Sequence, residues 1–167
     1  MAKIIKTQDN RREFIDTLVG LAEKDPTIVL IVPDVGFLYI DKFAEKFPNR
    51  YFNLGVTEEA TMIIASAMAL SGLKPYVYSM INFVLFRPYE MVRNAVVCHN
   101  ANVKILGVKG SSAYKFLGFS HNLLNDREDI NACRNMGLKS YIPKTPQKVH
   151  DIIKKTYKSL KPCYIRL

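Results

Sequence analysis

The chain has 167 residues, 49% of them hydrophobic, which suits one compact domain with a sizeable core. No apolar run is long and uncharged enough to span a bilayer, and the apolar part of the N-terminus Met-Ala-Lys-Ile-Ile-Lys is too short for a signal peptide, so no membrane association and a cytoplasmic location are expected. The formal charge of +9 is scattered (Lys3, Lys6, Arg11, Arg12; Lys148, Lys154, Lys155, Lys158, Lys161) rather than striped with aromatics, which reads as a solvated surface or a complement to an acidic partner subunit rather than a nucleic-acid site, and the widely spaced Cys98, Cys133 and Cys163 read as reduced thiols, not a disulfide framework or zinc site.

Residues 7–24 carry Phe14, Ile15, Leu18, Val19 and Ala22 at helical spacing before Asp25-Pro26, which predicts an amphipathic helix. The β-branched run 27–32 predicts a strand covered on both faces. A short helix over 41–47, ended by Pro48, and a short strand over 51–54 follow. Residues 53–72 are the most informative stretch. Wound at about 3.6 residues per turn, Ala60, Met62, Ile63, Ile64, Ala65, Ala67, Met68, Ala69 and Leu70 leave no polar stripe, so this helix is expected to be buried, yet it opens with Glu58-Glu59. Thr57 is a good N-cap, and acids in a first turn favour the positive end of the helix dipole, which explains part of that pairing without any chemistry. Strands over 74–79, 103–108, 140–143 and 163–167 then alternate with helices over 87–100, 127–135 and 146–160. This alternation predicts one domain over 1–167, a doubly wound α/β fold whose mostly parallel sheet has helices on both faces.

Ligands of such sheets bind beyond the carboxyl ends of the strands. The segments placed there are Pro33-Asp34-Val35-Gly36, Gly55-Val56-Thr57-Glu58-Glu59, Met80-Ile81-Asn82-Phe83-Val84-Leu85-Phe86, and Lys109-Gly110-Ser111-Ser112 running on to Gly118-Phe119-Ser120-His121. They offer acids, aromatics, a lysine and a histidine, with no Gly-x-Gly-x-x-Gly or Walker motif for a nucleotide phosphate.

In order, Phe-Asn-Leu-Gly-Val-Thr-Glu-Glu-Ala-Thr-Met, Gly72-Leu-Lys-Pro-Tyr-Val-Tyr-Ser79, Asn82-Phe83, Tyr89-Glu-Met-Val-Arg-Asn94, Asn102-Val-Lys-Ile-Leu-Gly-Val108, Gly118-Phe-Ser-His121 and Lys161-Pro-Cys-Tyr-Ile-Arg-Leu167 resemble the pyrimidine-binding domain of transketolases over nearly the whole chain. Deoxyxylulose phosphate synthases and the β subunits of 2-oxoacid dehydrogenases carry related domains. The resemblance implies thiamine diphosphate bound between two domains, with this domain holding the aminopyrimidine and another holding the diphosphate through Mg²⁺. It implies that Glu58 hydrogen-bonds a pyrimidine ring nitrogen and favours the imino tautomer, whose exocyclic nitrogen takes the thiazolium proton to give the ylid.

By the same resemblance, Phe83 stacks on the ring, while Met80 and Phe86 complete an apolar pocket. Phe83 and Phe86 are otherwise explained as core residues three apart. His121 faces the substrate and can transfer protons near neutral pH, and Lys109 pairs with a substrate phosphate or carboxylate, against the alternatives of a surface histidine and a solvated lysine. Asp34 contacts cofactor or substrate, helix capping being its competing account. Glu59 falls at a variable polar position and is given a capping or supporting role. No metal ligand is assigned within this chain.

The chain lacks the Gly-Asp-Gly and Asn metal motif of a diphosphate-binding domain and the Gly-Arg segment by which transketolases run on into a third domain. The expectation is therefore a transferase subunit, active only with a separate diphosphate-binding transketolase-like subunit and forming a homodimer within a heteromer. The substrate expected is a small sugar or 2-oxoacid, with a sugar phosphate acceptor in doubt because the arginine beyond Leu167 is missing. The 121–128 loop is slightly longer than usual, which points to altered substrate choice. The alternatives are a subunit of a thiamine-dependent 2-oxoacid decarboxylase or synthase, and a non-catalytic interaction subunit; retention of Glu58 and Phe83 weighs against the second.

Overall fold

A computed structural model describes residues 9–35, 38–110 and 112–167. Thr7, at the expected start of the first helix, Lys3 and Lys6 of the basic set, and Gly36 and Ser111 of the crevice segments lie outside the described residues.

The six strands are β1 (Ile28–Val32), β2 (Tyr51–Asn53), β3 (Lys74–Met80), β4 (Lys104–Val108), β5 (Ser140–Tyr141) and β6 (Cys163–Arg166). They form one all-parallel sheet in the order β2-β1-β3-β4-β6-β5. Every residue of β1 is buried, as its unbroken apolar run requires of a strand between two helical layers. Side chains alternate across the sheet: Leu30, Val32, Tyr76 and Tyr78 join one core, Ile31 and Val77 the other.

The first core lies under α1 (Asn10–Ala22), α2 (Asp41–Lys46) and α6 (Pro146–Tyr157), which contribute Phe14, Leu18, Phe43 and Ile153. Asp9 starts α1 by accepting from the Arg12 N–H at 2.8 Å, and Thr145 with Pro146 starts α6 in the same manner. The second core lies under α3 (Glu58–Leu70), α4 (Tyr89–Met91) with its flanking turns, and α5 (Glu128–Met136), with Met62, Val92 and Cys133 inward. Cys98 is exposed and Cys133 and Cys163 are buried, all three free; burial pushes the Cys133 thiol up to about 12 and the Cys163 thiol up to about 11. Among the described residues no helix is long and apolar enough to cross a membrane.

Three expectations need correction. The helix expected over 87–100 begins earlier, as a wide turn over Asn82–Phe86 in which the Arg87 N–H reaches back to the Asn82 carbonyl at 2.9 Å. A second wide turn covers Val92–Val97. Pro88 has no N–H and its ring crowds the carbonyl four residues before it, so ordinary α-helical bonding is interrupted there and a widened turn absorbs the misfit. Thr57 does not cap α3 through its side chain: its hydroxyl donates to the Leu54 carbonyl at 2.7 Å instead. Finally, α3 is buried on one face only. Ile63 (49% exposed), Ile64 and Leu70 (62%) face outward, because no described residue of this chain covers the outer side of the helix.

Candidate functional site

Four connections emerge from the carboxyl ends of β1 to β4 and meet at one edge of the sheet. Asn53, the last residue of β2, ties two of them: its Oδ1 accepts from the N–H of Asp34 at 3.2 Å and of Gly55 at 3.0 Å. Asp34 adopts a left-handed backbone (φ 53°), a conformation that aspartate tolerates better than most residues, and this turns the chain sharply out of β1. The loop after β4 is held by side-chain amides. Asn82 Nδ2 donates to the Phe119 carbonyl at 2.9 Å, and Asn122 Nδ2 donates to the Tyr114 and Gly118 carbonyls at 2.9 and 2.7 Å. Gly110 permits this return: a Cβ there would come within 2.4 Å of the His121 carbonyl oxygen.

The segments enclose a cavity of about 400 Å³, the size of a small-molecule pocket. Asp34, Met80, Phe83, Lys109 and His121 all line it. Phe83 and His121 meet edge to face, ring centres 5.1 Å apart, and the imidazole also lies parallel to Tyr114 at 6.3 Å. His121 Nδ1 is 2.8 Å from the Ser120 hydroxyl, and Lys109 forms an ion pair with Asp126 at the mouth.

Glu58 and Phe86 are placed differently. The first-turn carboxylate of α3 is only 3% exposed, whereas Glu59 points to solvent, so the two adjacent acids have opposite environments. Glu58 is ion-paired with Arg87, whose guanidinium carbon sits 4.4 Å above the Phe83 ring. Glu58 therefore adjoins the pocket through Arg87 and Phe83 rather than standing on its wall. Phe86 is half-buried against the second core, away from the cavity lining. Within a widened turn, residues three apart do not share a face as they do in an α-helix, and so Phe83 and Phe86 part company.

Sequence reasoning missed four participants. Arg11 and Tyr39 close the cavity from α1 and the β1–α2 connection, with the guanidinium 4.1 Å over the phenol ring. Asp9 fixes both, accepting from the Tyr39 hydroxyl at 2.8 Å and pairing with Arg11 at 3.3 Å. Burial pulls the Asp9 carboxyl up, but bonds from the Arg12 N–H, Tyr39 and Arg11 outweigh it and hold the group below the usual carboxylate range. Ser79, fully buried at the end of β3, lines the cavity with a hydroxyl that has no partner among the described residues. Arg87 is the fourth. Only the position of Ser79 at a strand end was visible beforehand.

This pocket joins an aromatic ring and a buried carboxylate to a rim of cations. The chain matches the family described as "Transketolase, pyrimidine binding domain" over residues 6–167. One of the two subunits of an apulose-4-phosphate transketolase, from Phocaeicola vulgatus, is 31% identical over 158 residues, which cover 94% of this chain and 50% of that protein. The like-named protein from Actinobacillus succinogenes is 26% identical over 156 residues, 92% of this chain and 49% of the relative. A solved structure described as "Split gene transketolase, inactive beta4 tetramer" superposes with a TM-score of 0.82 at 28% identity, covering 95% of this chain and 50% of that one. The chain thus spans about half the length of the curated relatives it matches. On this match, over nearly its whole length, the chain belongs to the transketolase pyrimidine-binding domain family.

Proposed function

We propose that this chain is the pyrimidine-binding subunit of a split, thiamine diphosphate-dependent transferase of the transketolase kind, which makes or breaks a carbon–carbon bond next to a carbonyl. The observation that carries the reading is Glu58, a carboxylate buried to 3% at the start of α3 and placed beside the Phe83 ring. A carboxylate so desolvated needs a partner, and a ring nitrogen of an aminopyrimidine stacked on Phe83 is a suitable one. The residues present fit that ring: Phe83 and Met80 offer apolar contact, and Glu58 the polar one. When bound, the cofactor supplies a carbanion equivalent that stabilises charge next to a carbonyl. The protein's part is to hold the ring, to share a proton with it at Glu58 Oε and to keep water from it. Phe86, shifted into the core, has a packing role.

The substrate side is cationic. Arg11, Lys109 and His121 line the cavity, which favours a small molecule carrying a phosphate or carboxylate, such as a sugar phosphate or a 2-oxoacid. Asp34 and the unpartnered Ser79 hydroxyl offer hydrogen bonds to substrate hydroxyls. His121, packed between Phe83 and Tyr114, is the proton carrier for substrate oxygens.

A separate chain would bind the diphosphate and Mg²⁺ and close the pocket. Similarity to one subunit of a transketolase and to a split-gene transketolase supports such a partner, as does the bare apolar rim of Leu38 (82% exposed), Phe116 (82%) and Phe119 (75%) around the cavity. The outward Ile63, Ile64 and Leu70 of α3 would be covered in a homodimer inside that heteromer. The proposed setting is cytoplasmic, with neither nucleic acid nor membrane as partner.

Calorimetry tests the reading. The chain alone should bind thiamine diphosphate and Mg²⁺ very weakly and show no turnover. Mixed with a chain bearing Gly-Asp-Gly and a downstream Asn, sought in the neighbouring reading frame, it should do both. Tight Mg²⁺-dependent binding by the lone chain would show that the missing parts had been wrongly assigned.

A further inference from the structure

The Arg87 side chain makes the two contacts that the proposed function assigns to the aminopyrimidine. Its Nη1 is paired with Glu58, and its guanidinium carbon lies 4.4 Å above the Phe83 ring. A guanidinium and a 4-aminopyrimidine share a flat N–C–N unit that donates hydrogen bonds at its edge and stacks through its face. With the guanidinium in place Glu58 is 3% exposed and absent from the cavity wall, although Phe83 stands on it. The Arg87 side chain itself is 42% exposed, so it is the outer layer over the carboxylate and has open solvent to move into.

We infer that Arg87 is a built-in stand-in for the cofactor ring: it pairs Glu58 and covers Phe83 while the pocket is empty and swings outward when the aminopyrimidine arrives. This rests on the thiamine reading of the pocket. The physical reason for such a device is that a carboxylate buried to this degree is costly without a partner, and the cofactor is not always there to be one. Arg87 follows the widened turn that carries Phe83 and precedes Pro88, so one local irregularity presents both residues to Glu58. The consequence is competition. Cofactor affinity is reduced by the fraction of chains in which the guanidinium occupies the ring's place.

The test uses the full chain, labelled at arginine nitrogens and titrated with thiamine, which has the aminopyrimidine but no diphosphate, while ring contacts to Phe83 are followed by NMR. Thiamine should contact Phe83 and shift the Arg87 Nε–H signal. Arg87→Met should bind thiamine about tenfold more tightly, because no stand-in has to leave. If thiamine contacts Phe83 while the Arg87 signal stays put and Arg87→Met binds no better, the stand-in is overturned and the pyrimidine pocket survives. If thiamine never contacts Phe83, in wild type or in Arg87→Met, the pocket assignment itself falls and the stand-in falls with it. Should Arg87→Met fail to fold, Arg87→Lys, which keeps the charge but loses the flat fork, should show a smaller gain in affinity; the wild-type Arg87 signal decides the matter without either variant.

Discussion

The two ends of the sheet are built on opposite plans. At the amino end, Asp25 is saturated: it accepts from the Thr27 N–H at 2.9 Å, the Thr27 hydroxyl at 2.6 Å, Lys74 Nζ at 2.6 Å and the Tyr157 hydroxyl at 2.9 Å. Lys104, buried at the start of β4, donates to Asn102 Oδ1 at 2.5 Å and to the Ser159 and Lys161 carbonyls at 3.0 and 2.7 Å. At the carboxyl end Ser79 Oγ has no partner among the described residues, Glu58 rests on the half-exposed Arg87, and Phe116 and Phe119 stand in water. One end spends its polar groups on holding strands and helices together. The other leaves them available, which is what a site awaiting a ligand requires.

The sharpest way to break this contrast is at Glu58. In the assembled complex, Glu58→Gln should retain much of the cofactor affinity, since the amide is nearly isosteric, yet lose turnover by about 10²-fold or more. Proton–deuterium exchange at the thiazolium carbon reports the proton step before substrate enters. Exchange that stays fast in Glu58→Gln but slows in Glu59→Gln would reverse the choice between these acids, and no change in either would remove this domain from cofactor activation.

Asp25 tests the saturated end. Asp25→Asn weakens charge-assisted bonds from two elements and should cost about 1–3 kcal/mol of stability by denaturant unfolding. Burial raises the proton affinity of this carboxyl, but the bonds from Lys74, Thr27 and Tyr157 overcome that and hold it well below the usual carboxylate range. A depressed folded value means that the stabilisation is present above the unfolded carboxylate value of about 4 and disappears as pH falls towards the folded one. Asp25→Asn should therefore unfold with a shallower acid dependence than wild type, while thiamine diphosphate binding by the complex stays the same. An unchanged acid slope would mean that other carboxylates dominate.

Phe83→Ala should weaken cofactor binding by about 1–3 kcal/mol through lost stacking and burial, and touch the chemical step less than Glu58→Gln does. Equal loss of exchange rate in the two variants would contradict this separation of roles. The smallest effect belongs to Ser79→Ala. A hydroxyl without a partner contributes nothing by hydrogen bonding, so folding stability should move by no more than about 0.5 kcal/mol, whereas substrate KM should rise. A loss of stability well beyond that would mean that the hydroxyl has a partner in solution.

Much of this was legible in the chain. The apolar run of β1, the Asp25-Pro26 stop after α1 and the alternation of strand and helix are local signals, and they led to a parallel sheet with two helical layers. Asp34, Met80, Phe83, Lys109 and His121 follow strand ends, and in a parallel sheet all strand ends on one edge converge, so their meeting in one cavity followed from topology. Phe86 misled because a three-residue spacing presumes an ordinary helix, and Pro88 prevents one there. The outward face of α3 misled for another reason: hydrophobic pattern says that a surface seeks burial, not which chain provides it.

The sequence by itself thus determined the family, the layered fold and which segments border the crevice, since these depend on periodicity, chain order and handed connections. Only the tertiary structure decided which of two adjacent acids turns inward, that Arg11 and Tyr39 close the pocket, and that Arg87 lies between Glu58 and Phe83. Those facts join residues as far apart as Arg11 and His121, through space and side-chain direction, and no local pattern in the chain encodes a meeting of that kind.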